Sequence, residues 1–289
     1  MMRDAIDHGA RGWWQRPMAG WSAVVVAVLL MAGCFVGTAK AEDPDPWPDL
    51  VRDVFHGHEL IDGAGVISIE MPYRAEDASI VPVTLRTALA PGDSRIVDTI
   101  TLVIDQNPAP VAATFKPAPG VAMISTRVRV DSYTNVHAVA ALSDGRLYVA
   151  TVFVKASGGC SAPTAKNGAD AMANLGQIRF RQFTQSETKP ADGPSSALRE
   201  AQVMIRHPNN SGLQRDQVTL LYIPAFFVRD IRIWLGDQLV LSVDGGISLS
   251  EDPNIRFTYR PNGAAQFRVE AADSDGHAFK GEWPVTAAL

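Results

Sequence analysis

Cysteine, histidine and long apolar runs are all scarce in this chain, and each shortage narrows what it can be. Two cysteines serve 289 residues, Cys34 and Cys160. Six histidines are scattered. His56 and His58 have strand-like ligand spacing, but they sit in a glycine-containing stretch with no third ligand nearby. That pair reads as a solvated loop, because zinc sites need three or four protein ligands. Lysine and arginine total 26 against 31 acidic residues, a net charge of −5 with no basic block, so nucleic-acid binding has no electrostatic support. No phosphate loop, dinucleotide fingerprint or Gly-x-Ser-x-Gly elbow occurs, and no cofactor is implied. Coiled-coil heptads and short-period repeats are missing as well.

A single apolar run, about 21–36, stands out, and it is short for a bilayer span. Arg3, Arg11 and Arg16 precede it, and Ala39-Lys40-Ala41 follows as an A-x-A site. This order predicts a secretory signal peptide over 1–41, cleaved after Ala41, and a periplasmic mature protein with no membrane contact. The competing motif Leu30-Met31-Ala32-Gly33-Cys34 resembles a lipoprotein box, which would lipidate Cys34 instead of removing it. Cleavage after Ala41 leaves Cys160 alone. In an oxidising compartment cysteines are normally paired, so an unpaired one reads as an intermolecular or reactive thiol.

Cys160 sits in Lys155-Ala156-Ser157-Gly158-Gly159-Cys160-Ser161-Ala162-Pro163. Nothing bulky flanks the thiol, Gly158 and Gly159 free the backbone, and Pro163 stops the preceding strand. The stretch therefore predicts an accessible, mobile loop that presents a thiol. Burial is the competing expectation, since free cysteine is often a small core hydrophobe. His137, His207 and His277 are the side chains that could activate it.

Elsewhere the text is short alternating runs broken by turns. A helix is expected over 47–55. Strands are expected near 66–70, 79–85, 96–104, 112–115, 123–130, 135–141 and 147–155, with Pro82 marking an edge or bulge. A short helix over 167–175, a strand over 177–183 and a flexible connector over 185–196 come next. Six further strands are expected near 201–206, 222–234, 238–243, 255–260, 266–272 and 277–283. Asp105 and Asp273-Ser274-Asp275-Gly276 read as turn residues. The fold class is all-β: two immunoglobulin-like β-sandwiches, 42–160 and 197–289, joined by a linker (161–196) with a short helix. The two blocks should pack together over a shared apolar interface.

Several motifs resemble the SoxYZ sulfur-carrier family. In the first block they are Ala75-Glu76-Asp77, Val81-Pro82-Val83, Asp105-Gln106-Asn107-Pro108-Ala109-Pro110, Thr126-Arg127-Val128-Arg129 and the run ending in Gly158-Gly159-Cys160. These are similar to SoxY. Arg206-His207-Pro208, Gly212, Ile223-Pro224-Ala225-Phe226-Phe227-Val228 and Asp273-Ser274-Asp275-Gly276 are similar to SoxZ. The resemblance implies a covalent carrier that is not an enzyme. Its cargo site would be Cys160, on an arm formed by Gly158 and Gly159. A haem-containing partner would load it, and other periplasmic redox enzymes would receive the cargo. The fusion also resembles a subgroup associated with quinoprotein dehydrogenases. Here Ser161-Ala162-Pro163 follows the cysteine in place of a free Gly-Gly end. Two other functions stay open on the residues alone: a non-catalytic accessory module for such a dehydrogenase, and a thiol enzyme using a histidine.

Overall fold

Strict alternation of inward and outward side chains is what turns these short runs into sheets: Val81, Val83 and Leu85 point inward with Pro82 and Arg86 outward, as a half-buried strand requires. A computed structural model describes residues 45–90, 92–163, 172–183 and 198–286. The expected leader, Cys34, most of the 167–175 helix and the whole 185–196 connector lie outside the described residues. No helix among the described residues is long and apolar enough to cross a membrane.

The first block holds a helix, α1 (Trp47–Phe55), and strands β1 (Leu60–Asp62), β2 (Ile67–Glu70), β3 (Val81–Thr87) and β4 (Val97–Ile104). It continues with β5 (Val111–Pro117), β6 (Met123–Val128), β7 (Thr134–Leu142) and β8 (Leu147–Val154). β9 (Ile178–Phe183) leads into the second block, which holds β10 (Arg199–Ile205), β11 (Val228–Leu235), β12 (Gln238–Gly245), β13 (Asn254–Tyr259), β14 (Gln266–Asp273) and β15 (Ala278–Pro284). The all-β expectation holds, and α1 is the one helix with both ends among the described residues. β1 was not legible in the sequence. The expected strand over 222–234 starts six residues later, because Pro224 interrupts the stretch and Phe226 pairs only as an isolated bridge with Asn210.

Two layers result. One sheet runs β1-β8-β7-β4-β5-β12-β11-β14-β15 and the other β2-β3-β6-β13-β10-β9. The blocks therefore meet edge to edge in both layers. β5 pairs with β12 through Phe115↔Val243 and its neighbours, and β6 pairs with β13 through Ile124↔Phe257. One hydrophobic cluster runs across this seam, including Phe115, Ile124, Val128, Val243, Leu249 and Phe257. The expected shared interface is present, and it is a continuation of both sheets. Pro82 fits as expected: β2 ends at the Glu70↔Thr84 pair, so β3 has an open flank at Pro82 although β6 lies on its other side.

A smaller cluster covers the outer face of the nine-stranded sheet, where Trp47, Leu50, Val54 and Phe55 of α1 lie against Val103, Val139 and Val149. Spacing of three and four residues puts these side chains on one helix face.

Phe257 is completely buried at the seam. Phe257→Ala should cost about 3–5 kcal/mol. Because the core is continuous, near- and far-ultraviolet signals should fall in one transition at lower denaturant. Two separated transitions would show that the blocks fold independently.

Candidate functional site: a thiol clamped at the seam

The Cys160 segment does not wave in solvent. Beyond β8, Gly158 N–H donates to the Asp131 carbonyl (2.7 Å) and Gly159 N–H to the Val130 carbonyl (3.0 Å). Cys160 N–H donates to Asp131 Oδ1 (3.2 Å). These bonds lay the segment along the chain that leaves β6. From the second block, Ser211 Oγ donates to the Cys160 carbonyl and Gln214 Nε2 to the Ala162 carbonyl (3.2 Å). Cys160 is 0% exposed, which corrects the expectation of an accessible thiol. Backbone pairing, invisible in a Gly-Gly-Cys-Ser text, is the cause.

The glycines have roles other than loosening the chain. Gly158 takes φ +76°, a region costly for other residues. A Cβ on Gly159 would stand 2.0 Å from the Ala78 carbonyl oxygen and 2.6 Å from that of Val130. Gly159 is a close-approach residue: only a hydrogen there lets the segment seat.

Arg129 organises the pocket. It is fully buried, and its guanidinium donates to the carbonyls of Gly159 (3.1 Å) and Asn209 (3.4 Å), one from each block. Its backbone N–H reaches the Ser248 carbonyl (2.7 Å). Asn107 pins the same chain, donating through Nδ2 to the Arg129 carbonyl (2.8 Å) and Ser248 Oγ (3.0 Å) and accepting from Asp131 N–H (2.9 Å). Asn107 belongs to the turn after β4, and its side chain carries the function of that turn. Burial lowers the Arg129 pKa, opposed by the charges of Glu251, Cys160 and Asp77.

Burial pushes the Cys160 thiol up to about 12, and the Asp131 charge adds to the rise while Arg129 opposes it. Cys160 nevertheless belongs to neither hydrophobic cluster. Its backbone N–H and carbonyl are held by the polar side chains of Asp131 and Ser211, with the Arg129 charge close by.

None of the three candidate histidines activates the thiol. His137 is buried on β7, with Nε2 on Asp105 Oδ2 (3.0 Å) and Nδ1 on Thr151 Oγ1 (2.8 Å). The Trp47 ring stacks on it at 3.5 Å and 6°, so this Thr-His-Asp chain fastens α1 to the sheet. Asp105, read from sequence as a turn residue, is a buried anchor. His207 Nδ1 accepts from Asn209 N–H (3.0 Å) while Nε2 faces Asp273 at 3.6 Å. Burial lowers its pKa, and Asp273 pulls the other way. His277 Nδ1 meets Asp273 Oδ2 (2.8 Å). Burial raises the Asp273 pKa, but hydrogen bonds from His277 outweigh it and leave the carboxyl below its usual range. The 273–276 motif does form the β14–β15 turn, with Asp275 and His277 N–H groups on Asp273 Oδ1. His56 is the left-handed C-cap of α1, and His58 is an exposed loop residue. No cluster of three or more potential metal ligands occurs among the described residues.

A fused pair of β-sandwiches with an unpaired cysteine clamped where they join defines a two-domain, all-β thiol protein. The sequence profile of sulfur oxidation protein SoxY matches residues 51–160 and that of sulphur oxidation protein SoxZ residues 189–284, together over two thirds of the chain. The chain belongs to the SoxYZ family, with both domains in one polypeptide, and is a sulfur-oxidation carrier protein at the level of that family. Members are carriers and accessory proteins for redox enzymes, not catalysts. No curated protein matches the sequence. Solved structures give loose superpositions. A superoxide reductase (neelaredoxin) from Ignicoccus hospitalis is 14% identical at TM-score 0.28, covering 37% of this chain and 90% of its own. A bacterial ice-binding adhesin is 12% identical at TM-score 0.25, covering 78% and 65%. Neither carries functional weight.

A thiol at about 12 instead of the ordinary 9.0 leaves about a thousandfold less thiolate at pH 7.5. The raised pKa favours the neutral thiol in the folded state. Its contribution to stability is therefore full below pH 9.0 and is lost as pH rises through about 12. Thiolate absorbance, taken as the difference from Cys160→Ser, should show no step at pH 9.0 in the folded protein. Gly159→Ala should unseat the segment and speed bimane labelling of Cys160 at pH 7.5 by at least about tenfold through regained thiolate. Unchanged labelling would mean that the clamp does not control access.

Proposed function

We propose that this protein carries a sulfur-containing intermediate covalently on Cys160 and presents it to partner redox enzymes. The observation behind this reading is that the SoxY match ends on Cys160, a buried residue whose backbone N–H and carbonyl are held by hydrogen bonds from both blocks. The Ser211 and Gln214 bonds can be replaced by water once the segment lifts.

The seated form is the resting state, neutral and unreactive. Loading requires the segment to leave Ser211 and Gln214, which restores an ordinary thiol pKa. Oxidative loading then breaks the S–H bond and forms an S–S bond to the terminal sulfur of the cargo. The proton goes to water, and two electrons pass one at a time through the haem of a loading partner to that partner's own electron acceptor. The chain continues past Cys160, so the lifted segment is a loop tethered at both ends. With roughly 3.3 Å of reach per residue shared by two limbs, the receiving site must be shallow or wide. This proposal places the protein in the periplasm after signal cleavage, serving a haem enzyme or a quinoprotein dehydrogenase.

Intact-mass analysis of protein recovered from its own periplasm should show an adduct that a reductant removes. Cys160→Ser should lack the adduct and keep its melting temperature within a few degrees, since serine nearly matches the volume lost. Wild-type protein with no adduct would favour an accessory module and overturn the carrier reading.

A further inference from the structure

Four neighbouring apolar side chains stand in solvent just beyond the clamp. Val218 is 90% exposed, Leu220 67%, Leu221 69% and Tyr222 60%. They cap a two-stranded ribbon in which Arg215 bridges to Tyr222 and Ile223 N–H donates to the Gln214 carbonyl (2.8 Å). The base of that ribbon, Ser211 to Gln214, is the part that grips the Cys160 segment.

The tip is built, not frayed. Asp216 Oδ1 accepts from the N–H groups of Val218 (3.1 Å) and Thr219 (2.7 Å) and from the Thr219 hydroxyl (2.9 Å). Leu220 N–H closes on the Asp216 carbonyl (2.9 Å), and Leu220 is held at φ +60°, where a leucine is uncommon. The charges beside the tip are engaged locally. Asp216 caps the turn, and Arg215 lies over the Tyr222 ring at 4.6 Å with its Nη2 on the Tyr222 hydroxyl. An apolar cluster fixed outward in this way marks an interaction site.

We infer that the ribbon tip Val218–Tyr222 docks the redox enzyme that acts on Cys160, through an apolar recess beside that enzyme's reaction centre. The inference rests on the carrier reading. Continuity with the clamp chooses this occupant: a body seated on the tip is linked through Gln214 and Ser211 to the thiol segment. The other end of the segment also carries exposed aromatics. Tyr73 and Phe153 lie 6.1 Å apart where Lys155 pairs with the Tyr73 carbonyl. An anionic bilayer fits less well, because the one basic residue at the tip is already engaged and the chain is net negative.

The test uses the full-length mature protein and the triple variant Val218→Ser, Leu220→Asn, Leu221→Ser, which keeps Tyr222 with Arg215. Both are incubated with thiosulfate and periplasmic extract of the source organism, and the Cys160 adduct is followed by intact mass. The variant should load at least about tenfold more slowly, while its melting temperature and bimane labelling match wild type. Equal loading of variant and wild type overturns the docking site. Cosedimentation of wild type, but not the variant, with phosphatidylcholine–phosphatidylglycerol vesicles at equal loading makes the tip a membrane contact and overturns it as well. If wild type itself never loads, the carrier reading fails and takes the inference with it. A variant altered in melting or labelling is replaced by Leu221→Ser alone, read by the same ratio.

Discussion

Arg129 is the group on which the rest depends. Sealing a guanidinium away from water costs several kcal/mol, and here two backbone carbonyls offset part of that, Gly159 from the thiol segment and Asn209 from the second block, while Nε makes no hydrogen bond. Neither acceptor is in place unless the blocks have met and the segment is seated. One buried cation thus makes three events conditional on one another: closing of the seam, positioning of the Asn209 turn and docking of the cysteine. Lifting the segment removes the Gly159 acceptor from a buried charge, which favours the seated state.

This arrangement reconciles burial with service as a carrier. A core cysteine is surrounded by side chains whose packing is lost irrecoverably when it leaves. The backbone of Cys160 is held by groups that water or a partner can replace: the Asp131 carboxylate on its N–H and the Ser211 hydroxyl on its carbonyl. Seating through backbone hydrogen bonds is a reversible kind of burial, and that burial keeps the thiol protonated while it lasts.

Local text revealed the elements, and long-range pairing hid the site. Alternation located β3 and β14 because each has one buried face, whereas β7, covered by α1 on its outer side, is buried on both. Cys160 was identifiable by its solitude and its glycines, yet its accessibility was misread. Gly-Gly signals either freedom or close approach, and only the Ala78 and Val130 carbonyls opposite Gly159 decide which. Asp105 and Asn107 looked like turn residues and are turn residues by backbone. Their side chains reach His137 and Arg129, partners more than twenty positions away. No local signal encodes such partners. Arg129, lying in an alternating strand text, gave no hint that it points inward.

The continuity of both sheets across the seam bears on stoichiometry. Two separate polypeptides joined along these edges would part on dilution, and their seam would have to supply the whole association free energy. Carried on one chain, the second block meets the first at an effective concentration on the order of millimolar, whatever the protein concentration. The seam is thereby relieved of any duty as an affinity interface. It can hold Asn107, Ser248, Arg129 and Asn209 in place of further leucines, and a junction of that composition can loosen at one point without the two blocks drifting apart.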